Sequence, residues 1–348
     1  MAQDIEAESD DPTSRRRQGT VRGLLFRTVT WLLALGCFYL VFRKIDQAAA
    51  REGLSVLGYL QLFFQSANWL GWLALMVPYS VFFFLVDSHA TWRVIRWFNA
   101  PSITLSQVLP IRASAYILSL INEQIGKGAM SIYLYRRYRV PGWEAISSMI
   151  FLGIVEIYQL LFFSAVGVVL YMDMVSAAST RLPLDRIMIT VFLVALAYIP
   201  LHLMYFSGRI LPHSTWRNRK LLWAFRQARP IQYLLVLLFK APNLLLAVVV
   251  YTLALELFHV PVSFPQMLAF LPVIFLAAAL PLPFHAGALL LWTVLFPEFP
   301  EVGAFSLVMH TFFVSFNALI GLLFLPRANR ELFAQTPTQD PPTPEQIK

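Results

Sequence analysis

The chain has 348 residues, 58% of them hydrophobic and only 13% charged, with a net charge of +8. Soluble domains carry roughly 25% charged residues, and several apolar runs here exceed the ~18 residues that argue for a membrane span. A soluble fold is excluded, and without ~10-residue alternating segments so is a transmembrane β-barrel. The excess of Lys and Arg fits the positive-inside bias of membrane proteins better than it fits a nucleic-acid partner.

In chain order, residues 1–20 are polar and charged and read as a disordered tail. SRRRQGT at 14–20 leads into the first apolar span, predicted over 23–42. That run passes through the lone Cys37 without a small-residue cleavage site. It reads as a retained helix rather than a signal peptide, and a single cysteine forms no intrachain disulfide. Further spans are predicted over 68–86, 145–171, 186–206, 231–258 and 303–325. The stretch 87–102 reads as a loop, and residues 331–348, rich in Pro and Gln, as a second tail. Residues 21–330 thus form a single transmembrane domain, and no polar interior segment is long enough to bury a soluble core.

Two segments break the pattern. Residues 103–121 and 264–297 are apolar but interrupted by Pro, Gly or charge. If neither crosses and the N-terminus is cytoplasmic, 20 of the 27 Lys and Arg fall on the cytoplasmic side and five outside. A crossing by 103–121 alone largely removes that bias, so both segments are predicted to enter and leave on one side. The expected class is all-α: a polytopic helical membrane protein with about six full spans, two re-entrant hairpins and both termini cytoplasmic. Leu109-Pro110 precedes Gly126 much as Leu271-Pro272 precedes Gly287. Each unit then meets a Pro-containing turn and a long span. This layout suggests an inverted repeat, against the plainer reading that Leu-Pro is a common dipeptide.

The candidate site residues are charged or polar groups at depth. Glu156 lies mid-span in FLGIVEIYQLLFF, where a charge costs roughly 2.5–3.5 kcal/mol on insertion scales. It must face protein or a wet cavity, either as a working carboxylate or as a structural one, protonated or paired. Arg112 follows Pro110 in the first hairpin, where a guanidinium suits an anion or a structural pair with Glu156 or Glu123. Glu123 and Lys127 are four apart and able to pair; Gly126-Lys127-Gly128 lacks the other residues of a P-loop. YRRYR at 135–139 reads first as an interface anchor on anionic lipid. Lys240 and Asn243 flank Pro242; Lys240 either snorkels or faces a cavity. His285 in PLPFHAG and His310 are candidate cavity-lining groups, and no third ligand at sensible spacing points to a metal. Neither a cofactor motif nor a Ser-His-Asp order is present.

This order of features resembles the flippase-like transmembrane family related to the membrane region of lysylphosphatidylglycerol synthases. The order is a polar Gly hairpin near 110–128, a basic stretch, a long span with a mid-membrane carboxylate, and a late Pro-rich hairpin before a final span. The likeness covers about residues 25–325. It lies in layout: Gly126-Lys127 stands where members carry Gly-Glu, and Glu156 stands at the place of an Asp. The resemblance implies a lipid translocase of the bacterial inner membrane, passive or ion-coupled. Its partners would be membrane lipids, anionic headgroups among them, and lipid-synthesis proteins. The aminoacyl-transfer domain of the full synthases is not part of the likeness, so lipid lysylation is not implied. An integral-membrane enzyme on a lipid-linked substrate, with Glu123 and His285 as its best acid/base pair, and an accessory scaffold of an envelope-synthesis complex are the alternatives.

Overall fold

The computed structural model describes residues 12–119, 123–173, 184–280 and 282–333; side chains within 12–23, 27, 123–125, 127, 184–188, 191 and 284 lie outside the description. Among the described residues the chain is all helical, with twelve α-helices and short 3-10 turns. Five helices are long and apolar enough to cross a bilayer: α1 (Pro12–Arg51), α3 (Trp69–Phe98), α6 (Gly142–Leu170), α9 (Pro230–Glu256) and α12 (Val302–Phe333). Helix α7 (Leu184–Phe206) has 23 residues, about 34 Å at 1.5 Å per residue. The protein is a polytopic helical membrane protein.

Local chemistry sets the helix starts. Asn68 caps α3 by accepting from the Gly71 amide at 2.9 Å, and Ser55 does the same for α2 (Val56–Ser66) through Gly58. Such caps satisfy amides that have no intrahelical acceptor. Pro230 opens α9 and Pro265 opens α10 (Phe264–Ala278), positions where the missing amide costs nothing. The cap Ser263 accepts from the Gln266 amide. A short helix, α8 (Trp223–Gln227), precedes α9.

The second interrupted segment forms a helical hairpin by itself, whereas the first, 103–121, supplies one arm and the polar run beyond it supplies the other. The first hairpin pairs α4 (Leu105–Ser119) with α5 (Glu123–Tyr138); the second pairs α10 with α11 (Ala286–Leu295). At 15, 16, 15 and 10 residues, each is about 15–24 Å long, short of the ~30 Å hydrocarbon core. The packing is reciprocal. Helix α4 lies on α12, the long helix after the second hairpin, and α10 lies on α6, the long helix after the first. Helices α3 and α9, which precede the hairpins, pack on each other. They run antiparallel: Asn68 meets Leu257, Asp87 meets Lys240 and Trp97 meets Phe239. Exchanging α3–α6 with α9–α12 preserves this pattern with the direction reversed, the layout an inverted repeat produces.

Glycines make the close crossings. A Cβ on Gly321 of α12 would sit 2.5 Å from the Ala113 carbonyl oxygen of α4. One on Gly167 of α6 would sit 2.7 Å from the Leu268 carbonyl oxygen of α10, the acceptor that Pro272 deprives of an i+4 amide donor. Within the hairpins, Gly126 faces the Ala115 carbonyl and Gly287 the Ala277 carbonyl; each alanine lies five residues after its hairpin proline. The proline-to-glycine spacing read from the sequence is therefore the spacing at which each hairpin closes on itself.

Three expected boundaries move, one of them the C-terminal tail, predicted from 331 but helical to Phe333. The predicted loop 87–102 is helical to Phe98: DSHATWRVIRWF is less apolar than the run before it, but no breaker occurs before Asn99. At the chain start, α1 begins at Pro12, inside the stretch read as a tail. Residues 1–11 and 334–348 lie outside the described residues.

Candidate functional site

The centre is a four-member charge network joining α3, α4, α6 and α9. Asp87 of α3 is 2% exposed and accepts from three groups. Arg112 Nε donates to its Oδ2 at 2.6 Å, the Tyr116 hydroxyl to the same oxygen at 2.8 Å, and Lys240 Nζ to its Oδ1 at 3.0 Å. Lys240, 4% exposed, also donates to Glu156 Oε1 at 2.9 Å. Two acids and two bases balance, as burial in a low-dielectric interior demands. Asp87 and Lys240 are buried and Arg112 is 13% exposed; the Glu156 side chain is the most open member, at 39%.

Each helix delivers its member for a local reason. Arg112 lies two residues after Pro110 and Tyr116 one turn later, so both reach one carboxylate from α4. On α6, Glu156 and Gln159 are three apart; on α9, so are Leu237 and Lys240. Gln159 Nε2 donates to the Leu237 carbonyl at 3.1 Å, and Glu156 meets Lys240 one turn along. Helices α6 and α9 are thereby clamped by two polar contacts a turn apart. Around the network lie buried polar atoms with no partner among the described residues: the Ser88 and Thr91 hydroxyls beside Asp87, and Asn243 Oδ1 one turn beyond Lys240. Such atoms are uncommon in folded proteins and cost about 1–3 kcal/mol each when unmet.

Of the sequence candidates, Arg112, Glu156 and Lys240 come together, with Asn243 beside them. Arg112 pairs with Asp87, a partner the sequence reading did not offer, while Glu156, one of the two it did offer, pairs with Lys240. Lys240 does not snorkel; it bridges two carboxylates. The side chains of Glu123 and Lys127 lie outside the described residues. His285 and His310 form a separate pair, their rings 4.2 Å apart, with His285 Nδ1 2.7 Å from the Ala278 carbonyl oxygen. His285 holds a left-handed backbone (φ 51°) at the start of α11. This pair belongs to the second hairpin and α12, not to the helices of the network. Among the described residues no three His, Cys, Asp or Glu side chains are placed to hold a metal.

Asp87 is the member of the network that the sequence reading missed. A signal existed: Arg112 and Lys240 are two bases at depth against one acid, Glu156, which leaves a positive charge unbalanced. Asp87 follows an apolar run directly, with no helix breaker between them.

Comparison with protein-family models, curated proteins and solved structures gives no match.

Proposed function

We propose that the protein is a lipid translocase of the bacterial inner membrane, with both termini cytoplasmic, working passively or coupled to an ion. The observation that carries the reading is the buried network with one part-open member. Asp87 fixes Arg112 and Lys240, while Glu156 is held by Lys240 through its open edge. An anionic headgroup that displaces the Glu156 carboxylate finds Lys240 already ordered and desolvated, and Asn243 Oδ1 beside it as an acceptor. The two short hairpins support the reading, since backbone that stops within the bilayer is tolerated where it is packed in protein or lines a cavity. The inverted layout supports it too, because reciprocal halves can exchange roles between the two faces. The family resemblance and the bias of Lys and Arg toward one side agree with it.

The test is dithionite quenching of fluorescent phosphatidylglycerol and phosphatidylcholine in liposomes that hold the purified protein. The expected result is loss of the protected half of the phosphatidylglycerol signal, and a return to the protein-free rate in Glu156→Gln. A wild-type rate equal to that of empty liposomes, or full transport by the variant, overturns the proposal. A chemically altered lipid would show an enzyme instead.

A further inference from the structure

About 120° around α3 from Asp87, six residues further on, lies a second cation that the network does not use. Arg93 places its guanidinium over three rings, at 5.6 Å from Trp92, 5.7 Å from Trp97 and 5.3 Å from Phe239 of α9. Among the described residues no acid pairs with it, and its Nε is buried without an acceptor. Rings that cover a guanidinium's faces leave its in-plane N–H groups as the ones still to be paired. They match a phosphate, which accepts two parallel N–H bonds. A second cation is adjacent: Arg96 stacks on Trp92 at 5.3 Å, with its Nε donating to the Pro101 carbonyl at 3.2 Å. The helix dipole does not explain Arg93, because it lies before the last turn of α3, where that field has faded.

What approaches this face is set by the rest of the stripe. Val81, Leu85, His89 and Arg93 follow at steps of four, so they share one side of α3. Leu85 is 49% exposed, and Leu238, beside Phe239 on α9, is 62% exposed. The surface where α3 meets α9 is thus apolar below and cationic at the end. Arg93 lies 24 residues after Trp69, about 36 Å along the helix. With Trp69 at one bilayer surface, as interfacial tryptophans prefer, Arg93 reaches the headgroups of the other leaflet beyond a ~30 Å core. We propose that the α3–α9 surface is a binding site for a bilayer phospholipid, its phosphate held by Arg93 with Arg96 beside it and an acyl chain along Leu85 and Leu238. Free phosphate would use the guanidinium but leave the apolar stripe unexplained. The site is independent of the translocase reading, since it lies on another face of α3 and requires only binding.

Native mass spectrometry of the detergent-purified full chain tests it, with added dioleoylphosphatidylglycerol, monogalactosyldiacylglycerol and inorganic phosphate as probes. The wild type should retain phosphatidylglycerol over the phosphate-free galactolipid. Arg93→Gln should lose about tenfold in phosphatidylglycerol affinity, the worth of one charge-assisted hydrogen bond, with galactolipid retention unchanged. Arg93→Lys, which keeps the charge without the fork, should fall between the two and carries the test should Arg93→Gln not be monodisperse. Equal phosphatidylglycerol binding in wild type and variants overturns the proposal. So does equal retention of the two lipids by the wild type, and so does displacement of phosphatidylglycerol by millimolar inorganic phosphate, which would indicate a plain anion site.

Discussion

The two halves of the repeat use one scaffold for different ends. In α3–α6, the helix before the hairpin, the hairpin itself and the long helix after it each contribute a charge: Asp87, Arg112 and Glu156. In α9–α12 only α9 does so, through Lys240. At the place of Arg112, two residues after the hairpin proline, the second half has Ile274, which is buried in the largest apolar cluster with Phe270, Trp292 and Phe305. Apolar packing holds both hairpins, the first through Val108, Ile111, Met130 and Leu134, but only the first adds an ion pair to the network, Arg112 to Asp87. Ion pairs can exchange partners at small cost in geometry, whereas a close-packed apolar interface has few alternatives. On the proposed function, this difference would make the first half the working element and the second the fixed frame.

The sharpest way to break this comparison is to remove the anion that holds both cations. Asp87→Asn leaves Arg112 and Lys240 buried beside a neutral amide. Losing one partner of a buried ion pair costs about 3–5 kcal/mol, so the variant should aggregate or melt far below the wild type in a thermal unfolding assay followed by size-exclusion chromatography. Next come the reciprocal crossings. Gly167→Ala and Gly321→Ala each drive a Cβ into a backbone carbonyl, and overpacking of this kind costs about 1–3 kcal/mol. Similar losses in the two variants would support the repeat. Gly153→Ala in α6, whose Cβ would meet nothing within 4 Å, should be neutral or raise stability by up to about 1 kcal/mol.

A smaller effect sharpens the frame side of the comparison. Glu301, at the start of α12, is buried and accepts from the Tyr59 hydroxyl at 2.7 Å. Burial holds its carboxyl above the usual value of 4.5, and the charge of Glu52 adds to that. The folded state therefore keeps this proton more tightly than the unfolded one. The group's contribution to stability is complete below pH 4.5 and declines as the pH rises through the folded value. Melting temperatures measured from pH 4 upward should show that decline in the wild type and a flatter profile in Glu301→Gln.

Five of the six predicted spans were legible because apolar runs of this length have one explanation; in the sixth, 186–206, the apolar helix described is Phe192–Phe206. Pro110 and Pro272 marked the segments that form short helices. The Pro-to-Gly spacing anticipated where each hairpin closes. Asp87 was hidden by the convention that an acid ends an apolar run; charge lowers hydropathy but does not stop a helix, and Asp87 is compensated by bases 25 and 153 residues away in sequence. Gly167 and Gly321 looked like ordinary small residues in long helices. Their role depends on which helix crosses at that turn, a tertiary fact that no local pattern carries.

The central claim is that Asp87 is the fixed anion of the network and Glu156 the releasable one. Its most direct test measures thermal stability and phosphatidylglycerol transport together for Asp87→Asn and Glu156→Gln. The expected result is that Glu156→Gln melts within a few degrees of the wild type, since a part-open pair contributes only about 0–1 kcal/mol, yet transports at the protein-free rate, while Asp87→Asn fails to fold stably. Normal transport by Glu156→Gln, or a loss of stability equal to that of Asp87→Asn, would contradict it.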